Sequence, residues 1–568
     1  MSQKLFEELR GVMEGDVTED QKTRLAYARD TSLFEETPRI LVFPKNAEDV
    51  SRAVRVVRTL KQSGEMVSIT PRTAGTDMTG GPLTSSVLLN FMKYMNHMFE
   101  VERSADSEQQ TAHSSSRSVQ AEGTASCEPG CYYRDFEKAT QSKGLIMPAY
   151  PASKEICAIG GMVANNCGGE LTLRYGKIEK YVTALDVVLS DGSRIETKAL
   201  SESELAAKKE LSTFEGEIYS KLDALMIENR EMIEAARPRI SKNSSGYSLW
   251  NIRNPHTKTF DLSQLIVGSQ GTLGIVTKAT LRLVTPKTHT AMLIIFLKDL
   301  RDLPEIVHRV LRFEPQAFES YDDKTFTFAV RFFFQMLKQI GIKKMFALGI
   351  AFLPEVRMVA FGGVPKLVLM AEFAEDTLEE AEQKVKKARE GLKSLPVSTR
   401  SAHAGIQSEK YWIIRRESFN LLRKSVQGLS AASFIEDIVI PPDAYPVFLP
   451  KLTRLLDEYN MLYTIAGHIG DGNLHIFPLL NPSSTETKRL VTKLTPRVFK
   501  LVVAHGGSIS GEHGDGIIRT PYVSLQFGAR MNTLFKEVKD LFDPLGILNP
   551  GKKVGGTEAD IARLFRKS

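Results

Sequence analysis

The chain has 568 residues, too many for a single hydrophobic core, and this implies two or three domains. With 42% hydrophobic and 25% charged residues it has the make-up of a globular enzyme, not of a disordered or fibrous chain. The net charge of +6 is mild, and no dense Lys/Arg tract with stacking aromatics argues for a nucleic-acid groove. That surplus suits an anionic substrate or a membrane surface without choosing between them. The N-terminal stretch MSQKLFEELRGVMEGD lacks the apolar core of a signal peptide. The longest apolar runs, such as Met292 to Leu297, are too short to span a bilayer. The expectation is a cytoplasmic protein, with peripheral association at the inner face of a membrane as the alternative. Four cysteines, Cys127, Cys131, Cys157 and Cys167, make no disulfide framework and no ferredoxin-type cluster run.

In chain order, residues 1–35 read as amphipathic helix ending at Thr37-Pro38. Ile40 to Pro44 reads as a short strand. Asn46 is a natural N-cap for a helix from Ala47 to Gly64, with Val50, Val54, Val57 and Leu60 at helical spacing. Val67 to Thr70 and Val87 to Asn90 are strands. The polar stretch 104–118 reads as a mobile excursion between two strands. Ala184 to Leu189 and Leu281 to Val284 are further strands, and Lys198 to Pro238 reads as mostly helical. Beyond Pro286 the texture changes. Amphipathic helices (Leu303 to Phe313, Asp376 to Leu395) alternate with strands such as Lys366 to Phe373. This predicts an α+β unit with an antiparallel sheet.

Three glycine-rich loops stand beside strands in the first half. They are Pro71 to Gly81 (PRTAGTDMTGG), Ile159 to Gly169 (IGGMVANNCGG) and Gly268 to Val276 (GSQGTLGIV). Glycines let backbone N–H groups approach a phosphate, and Arg72 and Thr76 add donors. Three such loops point to a long ligand with a pyrophosphate and a flat ring. No G-x-G-x-x-G opens a strand–turn–helix unit, which disfavours a Rossmann-type fold.

The C-terminal part carries GHIGDGNLH, with His468 and His475, and SGEHGDG, with Glu512 and His513. If Gly470-Asp471-Gly472 reverses the chain, both imidazoles face one site. Glu512 then supplies a third ligand, and the remaining coordination positions stay open for substrate. A divalent metal there would acidify a hydroxyl, and His513 would serve as the base. Two imidazoles and a carboxylate suit Zn²⁺ best, with Mn²⁺, Fe²⁺ and Co²⁺ as alternatives. Asp471 and Asp515 read as turn residues, not ligands.

The three loops, in this order with RYGKIEKYV and LDVVLSDG between them, resemble the FAD-binding domain of the vanillyl-alcohol-oxidase/p-cresol-methylhydroxylase superfamily. The two histidine motifs narrow the resemblance to the D-2-hydroxyacid dehydrogenase branch: D-lactate and D-2-hydroxyglutarate dehydrogenases and the flavin subunit of glycolate oxidase. The resemblance implies an α+β fold: a two-part FAD-binding domain of p-cresol-methylhydroxylase type (1–285), an α+β cap domain with antiparallel sheet (286–500), and a C-terminal segment returning to the flavin (501–568). It implies that Arg72, Thr73, Ala74, Gly75, Thr76, Asp77 and Gly80 cradle the FAD. Ile159, Gly160, Gly161, Ala164, Asn165, Gly168, Gly169, Gly271, Ile275 and Asn549 would complete the cofactor site. Thr73 and Ala74 stand where relatives often have Gly, and Gln270 where they often have Glu. With no His in 71–81 the FAD is expected to be non-covalent.

For the substrate carboxylate, relatives carry W-x-x-R, matched here by Trp412 to Arg415. That makes Arg415 the expected substrate-binding and catalytic anchor, with Arg416 and then Arg519 as rivals. Phe434 to Ile438 departs from the Lys-Tyr-Asp pattern of the 2-hydroxyglutarate enzymes. The expected substrate is therefore a D-lactate- or glycolate-like 2-hydroxyacid, with D-2-hydroxyglutarate as the alternative. Electrons would pass to a separate acceptor: an iron–sulfur protein, a cytochrome, a quinone or O₂. A flavin-dependent transferase like alkyldihydroxyacetonephosphate synthase is the competing class.

Overall fold

The computed structural model describes residues 2–104, 122–331, 352–355, 357, 363–425 and 429–566. The expected excursion at 104–118 lies, beyond Ser104, outside the described residues.

Among the described residues the strands form three sheets. In the first, Ile40–Phe43, Val87–Asn90 and Ile69–Arg72 run parallel. Every residue of the strands Ile40–Phe43 and Val87–Asn90 is buried. The helix Ala47–Gln62 crosses over from Ile40–Phe43 to the parallel strand Ile69–Arg72. Asn46 caps it by accepting from Asp49 N, and Val50, Val54, Val57 and Leu60 are buried along one stripe. The N-terminal reading needs correction. The helix stops at Val12, and Asp16–Thr18 pairs antiparallel with the strand Ile40–Phe43. The cause is Asp49, whose carboxylate accepts from Glu14 N and Gly15 N and turns the chain.

The second sheet has seven strands, spanning Met98 to Leu283. Its longest, Ile275–Leu283, alternates buried and less buried residues, as a strand with one covered face does. Lys198 to Pro238 is mostly helical, as expected, apart from the strand end at its start. Arg194–Leu200 is a strand, turned back on Val182–Val188 at Asp191-Gly192, and three helices follow it.

The third sheet begins at His289 and is antiparallel throughout. The strand His289–Leu297 is paired on both edges, by Leu367–Glu375 and Ser398–His403. Helices Leu303–Leu311, Leu378–Gly391 and Tyr445–Asp457 bury their apolar stripes on this sheet in one large core. The last segment returns to the first sheet: Leu548 bridges Ile69, and Asn549 N donates to Ile69 O at 3.0 Å.

Candidate active site

The three glycine-rich loops meet around one cleft. Thr73, Gly75, Thr76 and Asp77 line it from the loop after Ile69–Arg72. The second loop is a short helix, Ile159–Asn165. Its Gly160, Gly161, Ala164 and Asn165 share one face and line the cleft, while Ile159, Met162 and Val163 are buried on the other. Ser269, Gln270, Gly271 and Gly274 close the third side. A Cβ on Gly161 would lie 2.9 Å from Thr73 Oγ1, so the gap between two loops depends on its bare backbone.

A chain of side-chain bonds fixes these loops to one another. Asp77 Oδ2 accepts from Thr79 N and Gly81 N, and its Oδ1 accepts from Asn165 Nδ2 at 2.8 Å. Asn165 Oδ1 accepts from Gln270 Nε2, and Gln270 Oε1 accepts from Gly516 N in the C-terminal motif. Arg72 lines the cleft but spends its fork on the carbonyls of Tyr27 and Arg29. Its Nε is buried and has no partner among the described residues. Bare glycine backbone and one unpaired cationic N–H fit the pyrophosphate of a flavin dinucleotide.

Several expected cofactor residues stand elsewhere. Ile159 and Ile275 are 0% exposed and support the cleft from within the core. Gly80 packs on Phe34 and Ile517. Asn549 clamps the cleft from behind, donating to Gly81 O and Gln270 O. Ala74, Gly168 and Gly169 also do not line it. Gly168 instead abuts the second cluster, since a Cβ there would lie 3.2 Å from Glu512 Oε2.

That cluster is built on a hairpin. Strands Leu462–His468 and Asn473–Leu480 pair so that His468 opposes Asn473 and His475 opposes Ala466. The two histidines are therefore diagonal neighbours on one face, with ring centroids 5.1 Å apart. Gly472, at φ +74°, makes the reversal; a side chain there would strike Ile440 O. The short strand Ile438–Val439 lies between the motifs, pairing with Asn473 and Leu474 and bridging to Ser508.

His468 Nε2 and His475 Nε2 each lie 3.5 Å from the same atom, Glu512 Oε1. Their other nitrogens are fixed as donors. His468 Nδ1 meets Glu319 Oε1 at 2.6 Å, and His475 Nδ1 meets the Glu436 carbonyl at 2.8 Å. Each partner accepts only, so each ring presents its Nε2 lone pair when neutral. His513 Nε2 stands 3.9 Å from the same Glu512 oxygen, and its Nδ1 lies 3.1 Å from Glu436 Oε1. Asp437, His475, Glu512 and His513 each offer a ligand-type atom within 4.8 Å of the others. Asp437, however, is fully engaged. It accepts from Glu512 N, His513 N, Ser510 Oγ and Asn473 Nδ2, so it shapes the motif. His468, His475 and His513 then turn their Nε2 atoms toward Glu512 Oε1, and the two shorter approaches, 3.5 Å each, are those of His468 and His475. Two imidazole nitrogens and a carboxylate oxygen fit a divalent cation.

Burial and charge oppose each other throughout. Burial pushes the His475 imidazole down to about 4. It would do the same to His468 and His513, but Glu319 carries the former, and Asp437 with Glu436 the latter, up to about 9. Burial would raise Glu319, yet His468 and Arg415 bring it to about 2. Glu512 is likewise held well below the usual carboxylate range, by Lys242 and His468 against the effect of burial.

Arg415 sits beside this set, donating from Nε to Glu319 Oε2 at 3.0 Å, and is mostly buried. Arg416 points to Glu170 in a two-oxygen pair at 2.8 Å. Arg519 is 0% exposed and is divided among Glu436, Ile509 O and Gly514 O, an arrangement that holds Glu436 and presents no fork to a ligand.

Four neighbours went unassigned from sequence: Lys242, Glu319, Glu436 and Asp437. Lys242 and Glu319 lie in no motif. The adjacent acids Glu436-Asp437 inside the apolar run Phe434 to Ile440 were a signal, since buried carboxylates need partners.

Residues 38–198 match the family "FAD binding domain", and residues 286–553 match "FAD linked oxidases, C-terminal domain". Among curated proteins the chain is similar to D-2-hydroxyglutarate dehydrogenase of Pseudomonas putida, at 24% identity over 95% of this chain and 50% of the relative. It is similar to glycolate oxidase subunit GlcD of Bacillus subtilis, at 26% over 93% and 92%. It also resembles D-lactate dehydrogenase of Archaeoglobus fulgidus, at 27% over 92% and 96%. The chain thus spans about half the length of the D-2-hydroxyglutarate dehydrogenases first among these matches. Its fold resembles p-cresol methylhydroxylase with substrate bound (TM-score 0.66, 14% identity, 98% of this chain and 97% of that one). It also resembles alkyldihydroxyacetonephosphate synthase (TM-score 0.62, 15% identity, 96% and 85%). No helix among the described residues is long and apolar enough to cross a membrane. With both models matched, the chain belongs to the FAD-linked oxidases and carries their FAD-binding and C-terminal domains.

Proposed function

We propose that this chain is an FAD- and metal-dependent dehydrogenase that oxidises a D-lactate- or glycolate-like 2-hydroxyacid to the 2-oxoacid. The observation that carries the reading is the convergence of two imidazole Nε2 atoms on one oxygen of Glu512, beside a glycine-walled cleft. When bound, the flavin supplies a hydride acceptor and the divalent cation a Lewis acid that lowers the hydroxyl pKa. Thr73, Gly75, Thr76, Gly160, Gly161 and Gly271 would hold the FAD, with Asp77 and Asn549 fixing their loops. His468, His475 and Glu512 would hold the metal, Zn²⁺ being the best match.

The chain's own residues then do the rest. Glu319 and the Glu436 carbonyl keep both ligand rings turned the right way. His513, steadied at Nδ1 by Glu436, would take the substrate hydroxyl proton at Nε2 in its neutral form. Arg415, oriented by Glu319 at its Nε, receives the substrate carboxylate. Arg416 is the second candidate, at the cost of its pair with Glu170. Electrons leave to a separate acceptor such as an iron–sulfur protein, cytochrome or quinone.

A second reading, D-2-hydroxyglutarate as substrate, is favoured by the names of several relatives. Against it, Phe434 to Ile438 is buried and adds carboxylates, not a cation, beside the site. An anaerobic flavin-reduction screen over both enantiomers of a set of 2-hydroxyacids tests both. Bleaching by D-lactate or glycolate supports the proposal. A tenfold or greater kcat/KM preference for D-2-hydroxyglutarate overturns its substrate half. Failure of every hydroxyacid to bleach the flavin would favour the transferase class.

A further inference from the structure

Lys242 is among the largest fully buried side chains of the protein, and the function just proposed assigns it no part. It lies in the loop that follows the helix Arg230–Ala236. That loop is stitched to both histidine motifs. Ser241 Oγ donates to the Asp471 carbonyl in the turn between the two histidines. Ser244 N donates to Ser510 O, and Ser244 Oγ to Gly511 O, immediately before Glu512. Between these anchors the Lys242 ammonium reaches Glu512 Oε2 at 3.1 Å, Asn473 Oδ1 at 3.4 Å and Asp471 Oδ2 at 3.5 Å.

The division of the Glu512 carboxylate follows from this. Its Oε2 faces Lys242, and its Oε1 faces His468 and His475. A glutamate side chain has three torsions and two equivalent oxygens, so on its own it can present either oxygen or both. A charge-assisted bond to one oxygen removes that freedom. It also offsets part of the cost of burying the carboxylate.

We propose that Lys242 is a positioning residue for the metal centre: by holding Glu512 Oε2 it commits Oε1, alone, as the third ligand beside His468 and His475. This rests on the metal reading above. A loop from the flavin-side half of the chain thereby sets the geometry of ligands carried by the other half. A purely structural lysine, kept only to neutralise buried carboxylates, would serve Asp471 as much as Glu512. The two roles therefore separate on which carboxylate matters.

The test compares Lys242→Met with Asp471→Asn in the full chain loaded with FAD. Zn²⁺ affinity is read by competition with a colorimetric chelator, and coordination geometry by the visible bands of the Co²⁺ form. Flavin content and circular dichroism check the fold. Lys242→Met should bind Zn²⁺ at least fivefold more weakly and shift the Co²⁺ bands. Asp471→Asn should stay within threefold with unshifted bands. A loss below fivefold in Lys242→Met, or an equal loss in Asp471→Asn, overturns the positioning role. Where Lys242→Met does not accumulate folded, Lys242→Gln, which keeps a polar group in the site, is read against the same limits. If the parent protein binds no stoichiometric divalent cation, the metal reading itself falls, and this inference with it. Normal metal binding by both parent and variant sinks only the role of Lys242.

Discussion

The flavin cleft and the histidine cluster touch at Gly168, Gln270 and Gly516, yet they are made of opposite materials. The cleft is mostly backbone: glycines brought close, with one polar chain through Asp77, Asn165 and Gln270 fixing their spacing. The cluster is mostly side chain. Glu319, Glu436, Asp437 and Glu512 are buried there and held ionised by Lys242, Arg415, Arg519 and the histidines. A surface made of backbone tolerates many side-chain changes but no added bulk. A surface made of paired charges tolerates neither partner's loss, because the other is left buried and alone. Substitutions on the two sides should therefore fail in different ways.

The largest effect is expected at His475→Ala. It removes one converging nitrogen and leaves the cleft untouched. Losing a Lewis-acid site costs several kcal/mol of transition-state stabilisation, about a thousandfold or more in kcat. Bound FAD should stay stoichiometric by absorbance. Loss of flavin along with activity would break the proposed separation of the two regions.

That separation was also legible to different degrees. The glycine loops announced the cleft because each is a contiguous string, and Asn46 with its apolar stripe announced the helix beside it. The cluster was legible only at His468, His475, Glu512 and His513, which sit in short motifs. Glu319 is a lone acid in a strand, and its role depends on pairing between Ser320 and Gly467, far apart in sequence. Lys242 is legible only once the loop is threaded under both motifs. The N-terminal strand Asp16–Thr18 was hidden for the same reason, since the residue that turns the chain there is the distant Asp49.

Glu319→Gln sharpens the charge side of the comparison. It keeps the shape but weakens the hold on His468 Nδ1 and on Arg415. Loss of such an orienting carboxylate typically costs about 10–100-fold in metal affinity, measurable by chelator competition, and KM for the hydroxyacid should rise with it. Gly161→Val probes the backbone side. With a Cβ 2.9 Å from Thr73 Oγ1, overpacking of about 1–3 kcal/mol should weaken FAD binding about tenfold or more. Zn²⁺ affinity should be unchanged. A variant that loses metal and keeps FAD would reverse the assignment of the two regions.

The smallest effect concerns the stray carboxyl on the cleft side. Asp30 is buried behind Asp77, whose carbonyl accepts from Thr31 N. Its Oδ1 accepts from Ser32, but Oδ2 has no partner among the described residues. Burial, with the nearby Asp77 charge, pushes its pKa up to about 7. The folded state thus binds the Asp30 proton more tightly than the unfolded chain does. This contribution is fully present below the unfolded value near 3.8 and is lost as pH rises to about 7. Asp30→Asn removes the titration while keeping an acceptor for Ser32. Its stability relative to the parent should therefore increase from pH 4 to pH 7, by about 1.4 kcal/mol for each unit of pKa displacement, and then level off. Urea denaturation across that range checks the sign. A flat difference would mean that Asp30 stays ionised, paired as firmly as the carboxylates of the histidine cluster. The contrast between Asp30, raised behind the cleft, and a cluster that keeps its acids charged would then fail at the one residue where it is most exposed to test.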